Sequence, residues 1–182
     1  MRFASYLVLS LLCSWHAGKA DYRSHLKKYN NMVETAYNRG PFIDSANRKY
    51  AYLGAPYCAS AVSLILDRSK AYSPKIRSAS SRAFITKQSI DARRVWEGKA
   101  TPPKDGVVVY IRKGGGHIEF IIGQKSQYSM ECFGFNTSKP GVRGSQWNGT
   151  WSGYKTVDLK KVCSPYNVFR VTHFTAVSYG KQ

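Results

Sequence analysis

Three observations predict an α+β fold with N-terminal helices packed on an antiparallel sheet. Helix-spaced apolar residues are confined to the stretch before about Leu66. Pro102-Pro103 then marks a boundary. Beyond it the apolar segments are short and rich in β-branched and aromatic residues, as strands are. Helices first and strands afterwards do not describe alternating βαβ units.

The elements follow in order. Residues 1–20 join a basic start at Arg2, an apolar run from Tyr6 to Trp15 and small residues at Ala17-Gly18-Lys19-Ala20, which predicts a secretory signal peptide that carries Cys13 away. Residues 21–182 are then expected to form one secreted, extracellular domain. No later segment approaches the ~20 apolar residues of a spanning helix, so no membrane span is expected. Leu26, Tyr29, Val33, Ala36 and Tyr37 have near-helical spacing, predicting a helix over Asp21–Asn38 that Gly40-Pro41 ends. Phe42–Gly54 is aromatic and basic and has no clear period. A second helix is expected from about Pro56 to Leu66, with proline in the first turn, where no amide donor is needed. Ser69–Arg82 reads as a loop or as a helix with a basic face.

Val107–Ile111 reads as a strand buried on both faces, Ile118–Ile122 as its hairpin partner across Gly114–Gly116, and Gln127–Phe135 as a third strand. Asn136–Gly153 reads as a polar, glycine-rich loop and Asn167–Phe174 as a closing strand.

Charge and cysteine count narrow the partners. The whole chain carries +18. Loss of Arg2 and Lys19 leaves 26 basic against 10 acidic side chains, a net +16. Such an excess draws the protein toward anionic surfaces. Three cysteines remain, Cys58, Cys132 and Cys163. An odd count in a secreted chain predicts one disulfide and one free thiol. With Cys58 reserved for chemistry, the expected bridge is Cys132–Cys163, worth roughly 3–4 kcal/mol in the loop-entropy model.

Cys58 is reserved because it opens an apolar helix, Cys58–Leu66, where the helix dipole favours a thiolate. A thiolate attacks an amide carbonyl but needs a base that later returns the proton to the leaving amine. His117, at the start of a strand after three glycines, is the candidate. Its ring needs a third group to fix the tautomer. Asn136, at the end of the next strand, is the first choice, with Glu131 and Glu119 as fallbacks; Glu119 has the same strand parity as His117. Asn136 also heads an acceptor sequence for glycosylation, Asn136-Thr137-Ser138, and Asn148-Gly149-Thr150 is a second, so Asn148 is the expected glycosylation site. No Cys-x-x-Cys or His-Glu-x-x-His spacing occurs, and no metal or other cofactor is expected.

These motifs, over roughly Ala51–Ser138, resemble the papain-like peptidoglycan amidases of the CHAP and NlpC/P60 group. Pro56-Tyr57-Cys58-Ala59 matches the helix-opening cysteine motif. Pro103-Lys104-Asp105-Gly106-Val107 is a variant of its Pro-Gly-Asp turn. Gly116-His117-Ile118 matches its Gly-His strand. Gly134-Phe135-Asn136 stands at its Glu-Gly-Asn segment, with glycine in place of the acid. A narrower resemblance is to the type VI secretion amidase effectors domesticated by ticks and mites. The resemblance implies a papain-like fold and an exported antibacterial monomer. It would cut amide bonds in peptidoglycan stem peptides or cross-links, with the D-alanyl–diaminopimelate cross-link as first choice. Cys58 is the implied nucleophile, His117 the base and Asn136 the orienter. Tyr57, Phe135 and Trp147 are expected to line the substrate groove, with Trp151 beside them; for Phe135 and the two tryptophans a place in the core is the equal alternative. Peptidoglycan and anionic envelope polymers are the expected partners, and nucleic acid is not. The rival is a non-enzymatic cationic protein that binds bacterial surfaces by charge alone, for which Cys58 would be dispensable. A secreted ribonuclease would suit the charge and the 13 tyrosines, but no convincing pair of catalytic histidines accompanies them.

Overall fold

A computed structural model of the chain describes residues 21–140, 149–167 and 170–179. The expected signal segment with Cys13, the groove residue Trp147 and the glycosylation site Asn148 lie outside the described residues.

The single helix expected over Asp21–Asn38 is instead three short pieces. Asp21 caps helix α1, Tyr22–Leu26, by accepting from the Arg23 N–H. A 3-10 turn, Lys27–Tyr29, follows. Asn31 then takes a left-handed φ of 61°, and Met32–Val33 forms an edge strand, β1. Pairing at a sheet edge overrides the helical spacing.

Pro41 starts an element rather than stopping one. It occupies the first turn of α2, Pro41–Tyr50, which fills the stretch that showed no period. Helix α3, Cys58–Arg68, is buried throughout Cys58–Leu66. A short strand β2, Ala71–Ser73, a 3-10 turn, Ser81–Phe84, strand β3, Ile90–Asp91, and helix α4, Ala92–Trp96, lead to the main strands.

These are β4, Gly106–Arg112, β5, Gly115–Ser126, β6, Ser129–Thr137, β7, Trp151–Asp158, and, after the short helix α5, Leu159–Val162, β8, Arg170–Ala176. Strand β9, Ser178–Tyr179, pairs with β2 apart from the main sheet. The seven-stranded main sheet runs β1-β7-β6-β5-β4-β8-β3, with every neighbour antiparallel. The chain is α+β, with the expected β4–β5 hairpin and the expected third strand. β7 was not expected, and the polar loop predicted over 136–153 begins and ends inside strands.

Both faces of the sheet are covered, as the unbroken apolar run of β4 predicts. Val107 and Val109 face one core with Phe120, Phe133 and helices α1–α3. Val108 and Tyr110 face a second core with Phe174 and helices α4 and α5. Cys132 and Cys163 sit in that second core. The expected bridge between them is not formed, and all three cysteines are free thiols. Burial pushes the Cys132 thiol well above its ordinary range and Cys163 up to about 12. Neither is a ready thiolate for disulfide chemistry, and both pack as small apolar side chains. No described helix is long and apolar enough to cross a membrane.

Candidate active site

Cys58 is the first residue of α3, and α3 packs against β5 and β6. That packing brings the helix N-terminus to the start of β5, where His117 stands. The His117 ring and the Cys58 thiol border the same cavity, and the thiol is among the groups that raise the ring's pKa. The ring Nε2 lies 2.8 Å from Glu119 Oε1. A thiol, an imidazole and a carboxylate thus form one line.

The carboxylate is Glu119, not Asn136. Residues 117 and 119 share a face of β5, and across the hairpin that face carries Tyr110 and Val108. Glu119 is fully buried, and its charge is met on all sides. Lys155 Nζ, from β7, is in direct contact with Oε1. Lys155 also donates to Thr137 Oγ1 at 3.1 Å. Tyr110 OH donates to Oε2 at 3.0 Å. Burial alone would raise the Glu119 carboxyl, but the Lys155 charge and the His117 bond hold it down at about 2. Burial alone would likewise lower His117, but Cys58 and Glu119 push it up to about 9. The imidazolium is therefore the resting form of the ring at neutral pH.

Asn136 has a different task. It adopts φ 55°, which asparagine tolerates better than most residues, at a bulge where β6 and β7 shift register between Gly134 and Thr137. In the amide orientation that pairs both ends, Asn136 accepts from the Tyr57 N–H at 3.2 Å and donates to the Gly149 carbonyl at 2.5 Å. It braces the turn that precedes Cys58 and does not orient the ring.

The glycine at 134 has a physical cause. Gly134 is the direct cross-strand partner of Glu119. A Cβ at 134 would lie 2.8 Å from Glu119 Oε1. Glu119 therefore needs a glycine as its cross-strand neighbour.

Two of the expected groove residues belong to the core. Phe135 is fully buried and stacks on Phe42 at 5.2 Å. Its parity is opposite to that of Gly134, so it faces the helices. Tyr57 is also fully buried, its hydroxyl 3.4 Å from Ser152 Oγ, and burial pushes it up to about 12. Trp151 is buried as well, with its indole N–H donating to Asn31 Oδ1 at 3.3 Å.

What borders the thiol is a cavity of about 900 Å³ that reaches Cys58, His117 and Asn136 and is floored by Gly114–Gly116. No cluster of three or more His, Cys, Asp or Glu able to hold a metal occurs among the described residues.

Lys155 and Tyr110 were not foreseen as site residues. Tyr110 sits in an apolar strand and reads as core. Lys155 follows a glycine-rich stretch, and only the alternation Trp151, Gly153, Lys155, Val157 marks its strand.

Comparison with family models, with curated proteins and with solved structures finds no match to this chain.

Proposed function

We propose that this protein is a cysteine amidase of papain-like design that hydrolyses amide bonds in the peptide part of bacterial peptidoglycan. The observation that carries the chemistry is the Cys58–His117–Glu119 line. A thiol at a helix start, an imidazolium held by a buried carboxylate and an adjoining cavity together suit acyl transfer. Cys58 Sγ, its proton carried by His117, attacks the amide carbonyl as a thiolate. The oxyanion forms beside the first backbone N–H groups of α3, where the helix dipole is positive. His117 gives its proton to the leaving amine, and a thioester on Cys58 remains. His117, now neutral, takes a proton from water, which hydrolyses the thioester. Glu119 holds the ring in register and stabilises its charge throughout.

Peptidoglycan as the substrate is supported by the order of the motifs around Cys58, Gly106 and His117 and by the net charge of +18. The first choice of bond is the D-alanyl–diaminopimelate cross-link. The experiment is mass analysis of fragments released from purified sacculi by the mature protein. Each cut should add one water to an amide bond and none to a sugar–sugar bond. Fragments from glycan cleavage, or none at all, would overturn the proposal.

A further inference from the structure

The described residues that line the cavity beside Cys58 carry one sign of charge. They include Arg82, Arg112, Lys155 and Lys161 and no Asp or Glu. Lys155 comes from β7, Arg82 from the 3-10 turn Ser81–Phe84, Arg112 from the end of β4 and Lys161 from α5. Arg82 and Lys161 are exposed, and Arg112 is half-buried. The Arg112 Nε would lie 3.4 Å from a Cβ at Gly115, so the guanidinium borders the glycine floor of the cavity.

His117 adds a further positive charge below pH of about 9. A concave wall of one sign concentrates ions of the other. A neutral peptide gains nothing from such a wall, whereas a peptide with a free carboxylate near its scissile amide gains charge-assisted hydrogen bonds. Arginine suits a carboxylate because its planar fork can bind both oxygens.

We infer that this cavity is a carboxylate-recognising subsite, with Arg112 and Arg82 as its specificity-determining residues, and that the substrate is an acidic peptide. The inference rests on Cys58 as the nucleophile and narrows the proposed substrate. Stem peptides whose glutamyl and diamino-acid carboxylates are free are cut, and those with the same groups amidated are poor substrates.

The test has two arms. In the first, Cys58 in the native protein is alkylated with anionic iodoacetate and with neutral iodoacetamide, beside N-acetylcysteine as a free thiol. The charged-to-neutral rate ratio should exceed that of the free thiol by about tenfold or more. It should fall severalfold in Arg112→Gln and in Arg82→Gln. Lys113→Gln, which removes an exposed neighbouring cation outside the cavity lining, should leave the ratio unchanged. Equal effects of all three variants would overturn the inference, because only a general surface field would remain.

In the second arm, kcat/KM is measured on free-acid and amidated forms of one muropeptide. Arg112→Gln should lose about tenfold on the acid, the scale of a hydrogen bond to a charged group, and little on the amide. Equal cleavage of acid and amide by the unmodified protein would overturn the subsite. If neither muropeptide is cut while the alkylation ratios behave as stated, the peptidoglycan assignment fails and the acidic-substrate inference stands. If Cys58 resists both reagents in the native fold, the nucleophile assignment fails and takes the inference with it.

Discussion

Glu119 carries the site's electrostatics. A fully buried carboxylate is costly unless its charge is met, and here an imidazolium and an ammonium meet it together. Lys155 is the half of that arrangement that does not touch the substrate chemistry. Its removal makes every proton nearby easier to hold. The groups that face Glu119 or its partners are His117 on the same strand, Tyr110 on β4, Cys132 on β6 and Cys58 on α3. If the proposed mechanism holds, the unmodified protein should lose amidase activity as pH rises through about 9, where His117 deprotonates. In Lys155→Met both limbs of the kcat/KM profile should move to higher pH, by about half a unit or more. The acid limb moves because Glu119 is released from about 2 toward its ordinary 4.5. Lys155→Arg should restore the limbs, and a merely structural role for Lys155 would move neither.

At the same scale Asn136 and Glu119 separate cleanly. Asn136→Ala puts a residue less tolerant than asparagine of φ 55° at that position and leaves the Tyr57 N–H without its partner. It should cost about 1–3 kcal/mol in denaturant unfolding and leave the pH limbs in place.

The sequence singles out Cys58 and His117 because each stands in a local motif, and both border one cavity. Their carboxylate partner was legible only as a fallback to Asn136. Glu119 lies two residues from His117, and strand parity put it on the right face. Only the register of β5 against β6 shows that Gly134 opens the space its carboxylate fills.

At the scale of elements, the strands with continuous apolar runs or glycine turns were legible, and those set by long-range pairing were not. β1, only Met32–Val33, is too short to show a strand period and β7 is polar enough to pass for loop, and they form because β6 offers an edge that β7 extends and β1 then covers. The cysteines follow the same logic. Counting them predicts a bridge, but β6 and α5 place Cys132 and Cys163 in a core where each is already well packed. Mass measurement of the native, non-reduced protein should therefore find three free thiols in residues 21–182. Without denaturant only Cys58 should react with iodoacetamide. It borders the cavity at 8 % exposure, against 0 % for Cys132 and 2 % for Cys163. A Cys132–Cys163 disulfide found by peptide mapping would contradict the packing.

At the scale of the whole molecule, charge and site act at different distances. A net +16 over residues 21–182 attracts the protein to an anionic envelope over lengths that salt screens, with a Debye length of about 10 Å at 0.1 M. The Cys58–His117–Glu119 line is buried and screened much less. Lysis of whole cells should therefore fall steeply between low salt and about 0.5 M. Cleavage of short soluble muropeptides should fall less, by the amount their own carboxylates owe to the cavity cations. Parallel declines would mean that the surface charge does not serve encounter.

The most direct measurement of the central claim is the turnover of one defined, cross-linked muropeptide, followed by mass, with the unmodified protein beside Cys58→Ala and Glu119→Gln. The unmodified protein should convert the dimer to monomers. Cys58→Ala should leave it intact while unfolding within about 1 kcal/mol of the unmodified chain. Glu119→Gln should be slower by about 10²- to 10⁴-fold. Cleavage by Cys58→Ala at the unmodified rate would contradict a thiol mechanism at this site.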